Sequence, residues 1–64
     1  MSLEWQGDIY REKAGDYQID TAYSRAGEFN TMKYCGVIIG YETDIARAKE
    51  FCEGHAERNG NGVE

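Results

Sequence analysis

The chain has 64 residues, enough for one domain and no second, and a domain this short buries only about 60% of the surface its unfolded form exposes, which leaves little room for a deep catalytic cleft. Twelve acidic side chains against seven basic ones give a net charge of −5, the opposite of the balance found in proteins that grip phosphate backbones. No apolar run approaches the roughly 18 residues of a membrane span, and neither a signal peptide nor a basic lipid-facing patch is evident, so the expectation is a cytoplasmic protein with no membrane contact and no direct contact with nucleic acid.

The first segment, Leu3 to Arg11, alternates imperfectly. Leu3, Trp5 and Ile9 share an apolar parity, with Glu4, Gln6, Asp8 and Tyr10 on the other, and Gly7 marks a bulge or an irregular stretch. The second segment alternates better, with Tyr17, Ile19, Thr21 and Tyr23 inward against Asp16, Gln18, Asp20 and Ala22. That is the pattern of a half-buried strand. The short link through Gly15 predicts a hairpin between the two.

The third segment, about Met32 to Tyr41, is the most apolar. It reads as a central strand with Cys35, Val37, Ile39 and Tyr41 toward the core and Tyr34, Gly36, Ile38 and Gly40 away from it. From Thr43 the period turns helical, with Thr43 as N-cap and Asp44 at the positive end of the dipole. Ile45, Ala48, Phe51, Cys52, His55 and Ala56 form the inward stripe, and Glu50, Glu53 and Glu57 a ridge opposite. The helix is expected to stop near Arg58 or Asn59, because two Asn-Gly pairs follow. The predicted fold is α+β: a three-stranded antiparallel meander with one C-terminal helix packed on one face. It divides into a domain over residues 1–58 and a flexible tail over 59–64.

Cys35 and Cys52 are too few for a disulfide-stapled mini-protein, and free thiols are the expectation for a reducing compartment. A single bridge between them is the alternative, adding about 3 kcal/mol by chain entropy. His55 lies one turn beyond Cys52, so a Cys35/Cys52/His55 metal set can be drawn. It lacks both a fourth ligand and the short paired spacings of structural zinc. No cofactor is expected. No phosphate-cradling glycine loop, nucleophile elbow or helical His-Glu-x-x-His occurs, and Cys52 sits on the apolar stripe where a nucleophile would not. The expectation is a protein that is not an enzyme.

Two excesses suggest binding instead. Asp16, Asp20, Glu50, Glu53 and Glu57 offer carboxylates on two elements, either as a solvated face or as an acidic surface that meets a basic site on another protein. Five tyrosines exceed what so small a core requires. Tyr10, Tyr34 and Tyr41 are candidates to line an open sheet face beside the prominent Ile38.

The run Trp5, Gly15-Asp16-Tyr17-Gln18-Ile19, Tyr34, Gly40-Tyr41-Glu42-Thr43, Ala48-Lys49 and Cys52-Glu53-Gly54-His55 resembles small phage- and prophage-encoded β-β-β-α proteins. Asp44-Ile45-Ala46-Arg47 stands where those proteins carry Leu-Glu-Glu. The composition is similar to that of acidic phage proteins of the anti-CRISPR and anti-restriction type, some of which mimic double-stranded DNA. That resemblance implies a non-enzymatic inhibitor in a bacterial host cell. Its partner would be a protein of a host defence complex with a basic, nucleic-acid-binding surface. Asp16, Asp20, Glu50, Glu53, Glu57, Tyr34 and Ile38 are the candidate contacts. The alternative is a structural or regulatory module that homodimerises through its sheet face.

Overall fold

The computed structural model describes residues 3–62, with side chains for residues 3–58. The chain is α+β, with a C-terminal helix on one face of an antiparallel sheet. The sheet has five strands where three were expected. In chain order these are β1 (Gln6–Gly7), β2 (Arg11–Ala14), β3 (Tyr17–Ser24), β4 (Gly27–Tyr34) and β5 (Val37–Glu42), followed by α1 (Ile45–Gly62). Every strand pairs with its sequence neighbour, so the sheet is a simple meander.

The two extra strands arise where apparent single segments turn back. Gly7 takes φ +143°, and a methyl group there would collide with the Arg11 carbonyl oxygen. The Asp8 carboxylate then closes the loop by accepting from the Tyr10 and Arg11 amides at 2.9 and 3.0 Å. This turn ends β1 and throws Ile9 out into solvent. The run from Met32 to Tyr41 is likewise broken, at Cys35-Gly36, where φ is 52° and 81°. Two successive positive φ values suit a two-residue hairpin, whose twist matches that of the strands it joins. It sets Tyr34 opposite Val37.

One further irregularity reorders β5. Lys33 pairs with Ile38 but Met32 pairs with Gly40, so Ile39 is an extra residue. The strand's faces change phase there. Of Cys35, Val37, Ile39 and Tyr41, expected to point inward, only Ile39 packs against the core, whereas Cys35, Val37 and Tyr41 are exposed. Tyr34, expected to point outward, instead lies half-buried on the helix side, its ring centroid 4.7 Å from that of Tyr17.

The core lies between α1 and the β3–β4 pair. Tyr17, Ile19, Met32, Ala48 and Cys52 are buried, and Leu3, Trp5, Tyr34, Ile39, Ile45 and Ala56 pack around them. Asn30 is also fully buried. It accepts from the Thr21 hydroxyl at 2.6 Å and donates to a Glu28 carboxylate oxygen and to the Glu42 carbonyl. Those bonds offset the cost of burying an amide and tie β3, β4 and β5 together.

Asp44, not Thr43, caps the helix, its carboxylate accepting from the Ala46 amide at 2.9 Å. The helix continues past Asn59 to Gly62. Phe51 leaves the inward stripe: it rests over Gly40 at the β5 edge and is 41% exposed. On the opposite flank Lys49 pairs with Glu12 at 2.9 Å and stands 6.0 Å above the Trp5 ring, fixing the helix over β2. No helix among the described residues is long and apolar enough to cross a membrane.

Candidate binding face

A single helix covers one face of the sheet, and the described residues leave the other face open. Cross-strand partners share a face, so the strand registers arrange the open one in rows. One row reads Gln6, Lys13, Gln18, Lys33, Ile38 from β1 to β5, and the next reads Arg11, Asp20, Thr31, Tyr41 from β2 to β5. Ala22 and Phe29 form a third row on β3 and β4.

The rows are chemically graded. Toward β2 they carry charge and amides. Asp20 is the centre there, accepting from Arg11 Nε at 2.9 Å and Gln18 Nε2 at 2.9 Å, with Lys33 Nζ at 3.1 Å. Partial burial pushes its pKa up, but the bonds from Lys33, Arg11 and Gln18 outweigh that and hold it below the ordinary carboxylate value. Lys13 is exposed and makes no ion pair among the described residues. Toward β5 the face is apolar. Phe29 and Tyr41, 45% and 57% exposed, stack with ring centroids 5.4 Å apart and planes 26° apart. Ile38 is exposed in the adjoining row.

The paired rows of the open side hold three cations and one carboxylate, against eleven further acids and four further cations in the sequence. Several of those acids already serve the fold: Asp8 and Asp44 cap, Glu12 pairs with Lys49, and Glu28 holds Asn30.

The expected contact residues do not assemble into one surface. Asp20 is on the open face within its cation cluster. Asp16 is exposed in the β2–β3 turn, where its carbonyl accepts from the Cys35 amide. By helical phase Glu50, Glu53 and Glu57 project from the side of α1 away from Ala48 and Cys52, on the opposite side of the molecule from Asp20. Ile38 belongs to the open face and Tyr34 to the helix side. Tyr10 lies with Tyr23 in an edge-to-face pair 5.9 Å apart, in a second exposed aromatic cluster on the helix side.

Under the helix, Tyr17 Oη and His55 Nδ1 lie 2.6 Å apart. Burial raises the Tyr17 pKa, so the phenol stays protonated, and the tautomer of His55 sets which of the two donates. Tyr34 covers the pair, its ring 5.1 Å from that of His55. Cys52 is buried beside this cluster, and desolvation pushes its thiol up to about 11, far from the thiolate that nucleophilic or metal chemistry requires. Cys35 and Cys52 are free, one exposed and one buried. No group of three His, Cys, Asp or Glu side chains among the described residues is placed to hold a metal, so Cys35, Cys52 and His55 do not form the set drawn from the sequence. The Tyr17–His55 bond is best explained as a clamp between β3 and α1.

Comparison with protein-family models, with curated proteins and with solved structures finds no match. The reading of this site rests on its own geometry. Sequence reasoning missed that Phe29, Lys13, Lys33 and Arg11 share one face with Tyr41 and Ile38. The signal that would have found them is the strand register, which depends on the β3–β4 turn and the Ile39 bulge.

Proposed function

We propose that this protein acts by binding rather than catalysis, holding a macromolecular partner against the uncovered face of its sheet. The stacked, half-exposed Phe29–Tyr41 pair carries this reading. Aromatic rings are the costliest side chains to leave in water and are enriched where proteins meet partners. A pair of them on a flat face, bordered by charged and amide groups, has the apolar centre and polar rim of an interface. The test is an affinity capture from bacterial lysate with wild-type bait and with Phe29→Ser/Tyr41→Ser bait. A partner recovered by the wild type and lost by the variant, with unchanged circular dichroism, is the expected result. Equal recovery by both baits would refute it.

A second reading, inhibition of a nucleic-acid-binding defence complex through an acidic surface, is favoured by the alignment of Glu50, Glu53 and Glu57 along the back of α1. Glu53→Lys/Glu57→Lys bait addresses it directly. Loss of the partner from that bait alone, together with weakening as salt rises, is its signature. The homodimer through the sheet is less well supported, because two open faces brought together would set three cations against three.

A further inference from the structure

We infer that the open sheet face binds single-stranded nucleic acid, with Phe29 and Tyr41 stacking bases and Lys13 and Lys33 meeting phosphates. This rests on the reading of that face as the binding surface and names its occupant.

Three observations converge on that chemistry. First, the face is donor-rich. The row Gln6, Lys13, Gln18, Lys33 presents two ammonium groups alternating with two amides across four strands. Its neighbouring row contributes Arg11, and Asp20 is the one carboxylate among the cations, which it holds in place. An anionic ligand fits this surface, and a second copy of the same surface does not. Secondly, the aromatic pair adjoins the cations on the same face: Tyr41 lies in the row of Thr31 and Asp20, next to that of Lys33 and Ile38, and Phe29 stands one row further on. A polymer that alternates phosphates with flat bases satisfies both halves of the face with one repeating unit. An acidic peptide would satisfy the cations but supplies no flat group for the paired rings at each step. Thirdly, the acidic ridge of α1 lies on the other side of the sheet, where it does not oppose a ligand on the open face.

The ligand must be single-stranded. A duplex keeps the faces of its bases stacked on one another, whereas an unpaired strand can lay them on protein rings. The four strands from β2 to β5 span about 14 Å at the usual spacing of about 4.8 Å. This is the width on which a four-stranded sheet stacks two or three bases. The net charge of −5 does not bar such binding, because it averages a cation-rich face with an acidic back.

The experiment is an NMR titration of the ¹⁵N-labelled protein with oligo(dT) and oligo(rU) octamers, at about 50 and 150 mM salt. The two oligomers separate DNA from RNA. Expected are amide shifts on β2, β4 and β5 that leave the Glu50–Glu57 turns of α1 unmoved. Affinity should fall about five- to tenfold between the two salt concentrations, the dependence for two to three phosphate contacts on a single strand. Tyr41→Ala, at an exposed position, should weaken binding at least about fivefold with the fold intact. Lys13→Glu should weaken binding and flatten the salt dependence. Absence of shifts at millimolar oligomer, shifts confined to the helix back, or undiminished binding by Tyr41→Ala would each overturn the inference. Shifts on the same face with an oligo-glutamate peptide, and none with either oligomer, would overturn it while leaving the face as the binding surface. If neither ligand shifts the face and the Phe29→Ser/Tyr41→Ser bait captures what wild type captures, both the inference and the reading beneath it fall.

Discussion

Asn30 is the residue whose replacement tests the architecture most sharply. It is fully buried at the centre of the sheet and makes bonds to Thr21, Glu28 and Glu42. Asn30→Ala removes all three. Glu28 is half-buried and recovers part of its loss from water, but the Thr21 hydroxyl and the Glu42 carbonyl are left facing a void. At roughly 1 kcal/mol per bond the cost is about 3 kcal/mol. A domain of this length has about 3–10 kcal/mol in total, so the urea midpoint should fall by about 2–3 M for a slope near 1 kcal/mol/M. Asn30→Asp sharpens the test, because it keeps the shape and loses both donations. It also sets a new carboxyl against that of Glu28. Burial and that neighbour raise the folded pKa of the new group above its unfolded value, so the variant binds more protons when folded. Its stability relative to wild type should therefore improve as the pH falls and worsen as it rises. A loss below about 1 kcal/mol for Asn30→Ala, at unchanged slope, would show that the buried amide does not hold the three strands together.

The remaining expectations concern single sites. Gly7→Ala should detach β1 and shift Trp5 fluorescence toward that of exposed indole, because the added methyl collides with the Arg11 carbonyl; an unchanged spectrum would show that the loop relaxes without cost. Phe51→Ala should cost about 2 kcal/mol in chemical denaturation, below the usual 3–5 for a buried Phe, since the ring is 41% exposed; a loss above about 3 would place it in the core. Asp20 has a depressed pKa, so its contribution is present above the unfolded value and lost as the pH falls through the folded one. Asp20→Asn should flatten the acid limb of the stability–pH curve, and an unaltered limb would count against the Arg11–Asp20–Lys33 cluster. A thiol reagent near pH 8 should label Cys35 quickly and Cys52 only on unfolding, given the buried thiol at about 11; rapid labelling of both would show that the core opens readily.

What the sequence disclosed and what it hid both have physical causes. Tyr17, Ile19, Thr21 and Tyr23 alternate with polar residues, and they do form the inner side of β3. The helical stripe through Ala48, Cys52 and Ala56 is equally legible, and so is the Gly15 hairpin. β4 is not. Its inner positions are Glu28, Asn30, Met32 and Tyr34, and its outer ones include Phe29 and Thr31, so hydropathy is inverted along half the strand. A buried Asn that satisfies its bonds and an exposed Phe that stacks on a neighbour are invisible to alternation.

The second half of the fold was masked by turn chemistry and by a bulge. Cys35-Gly36 lacks the Asn or Asp that usually announces a turn with two positive φ values. The apolar run through it therefore looked like one continuous strand. Ile39 then adds a residue that alternation cannot count, and every residue beyond it changes face relative to those before. These two local events move Tyr34 under the helix and Tyr41 out beside Phe29. The candidate face depends on both of them. Without the bulge, Tyr41 would share a side with Val37 and Ile39, and Phe29 would stand alone on the open sheet. The β2–β3 and β3–β4 turns bring Lys13 and Lys33, twenty residues apart in the chain, into one row with a single strand between them. Charge summed along the chain is acidic. Charge counted across the sheet is not, and a ligand meets the sheet.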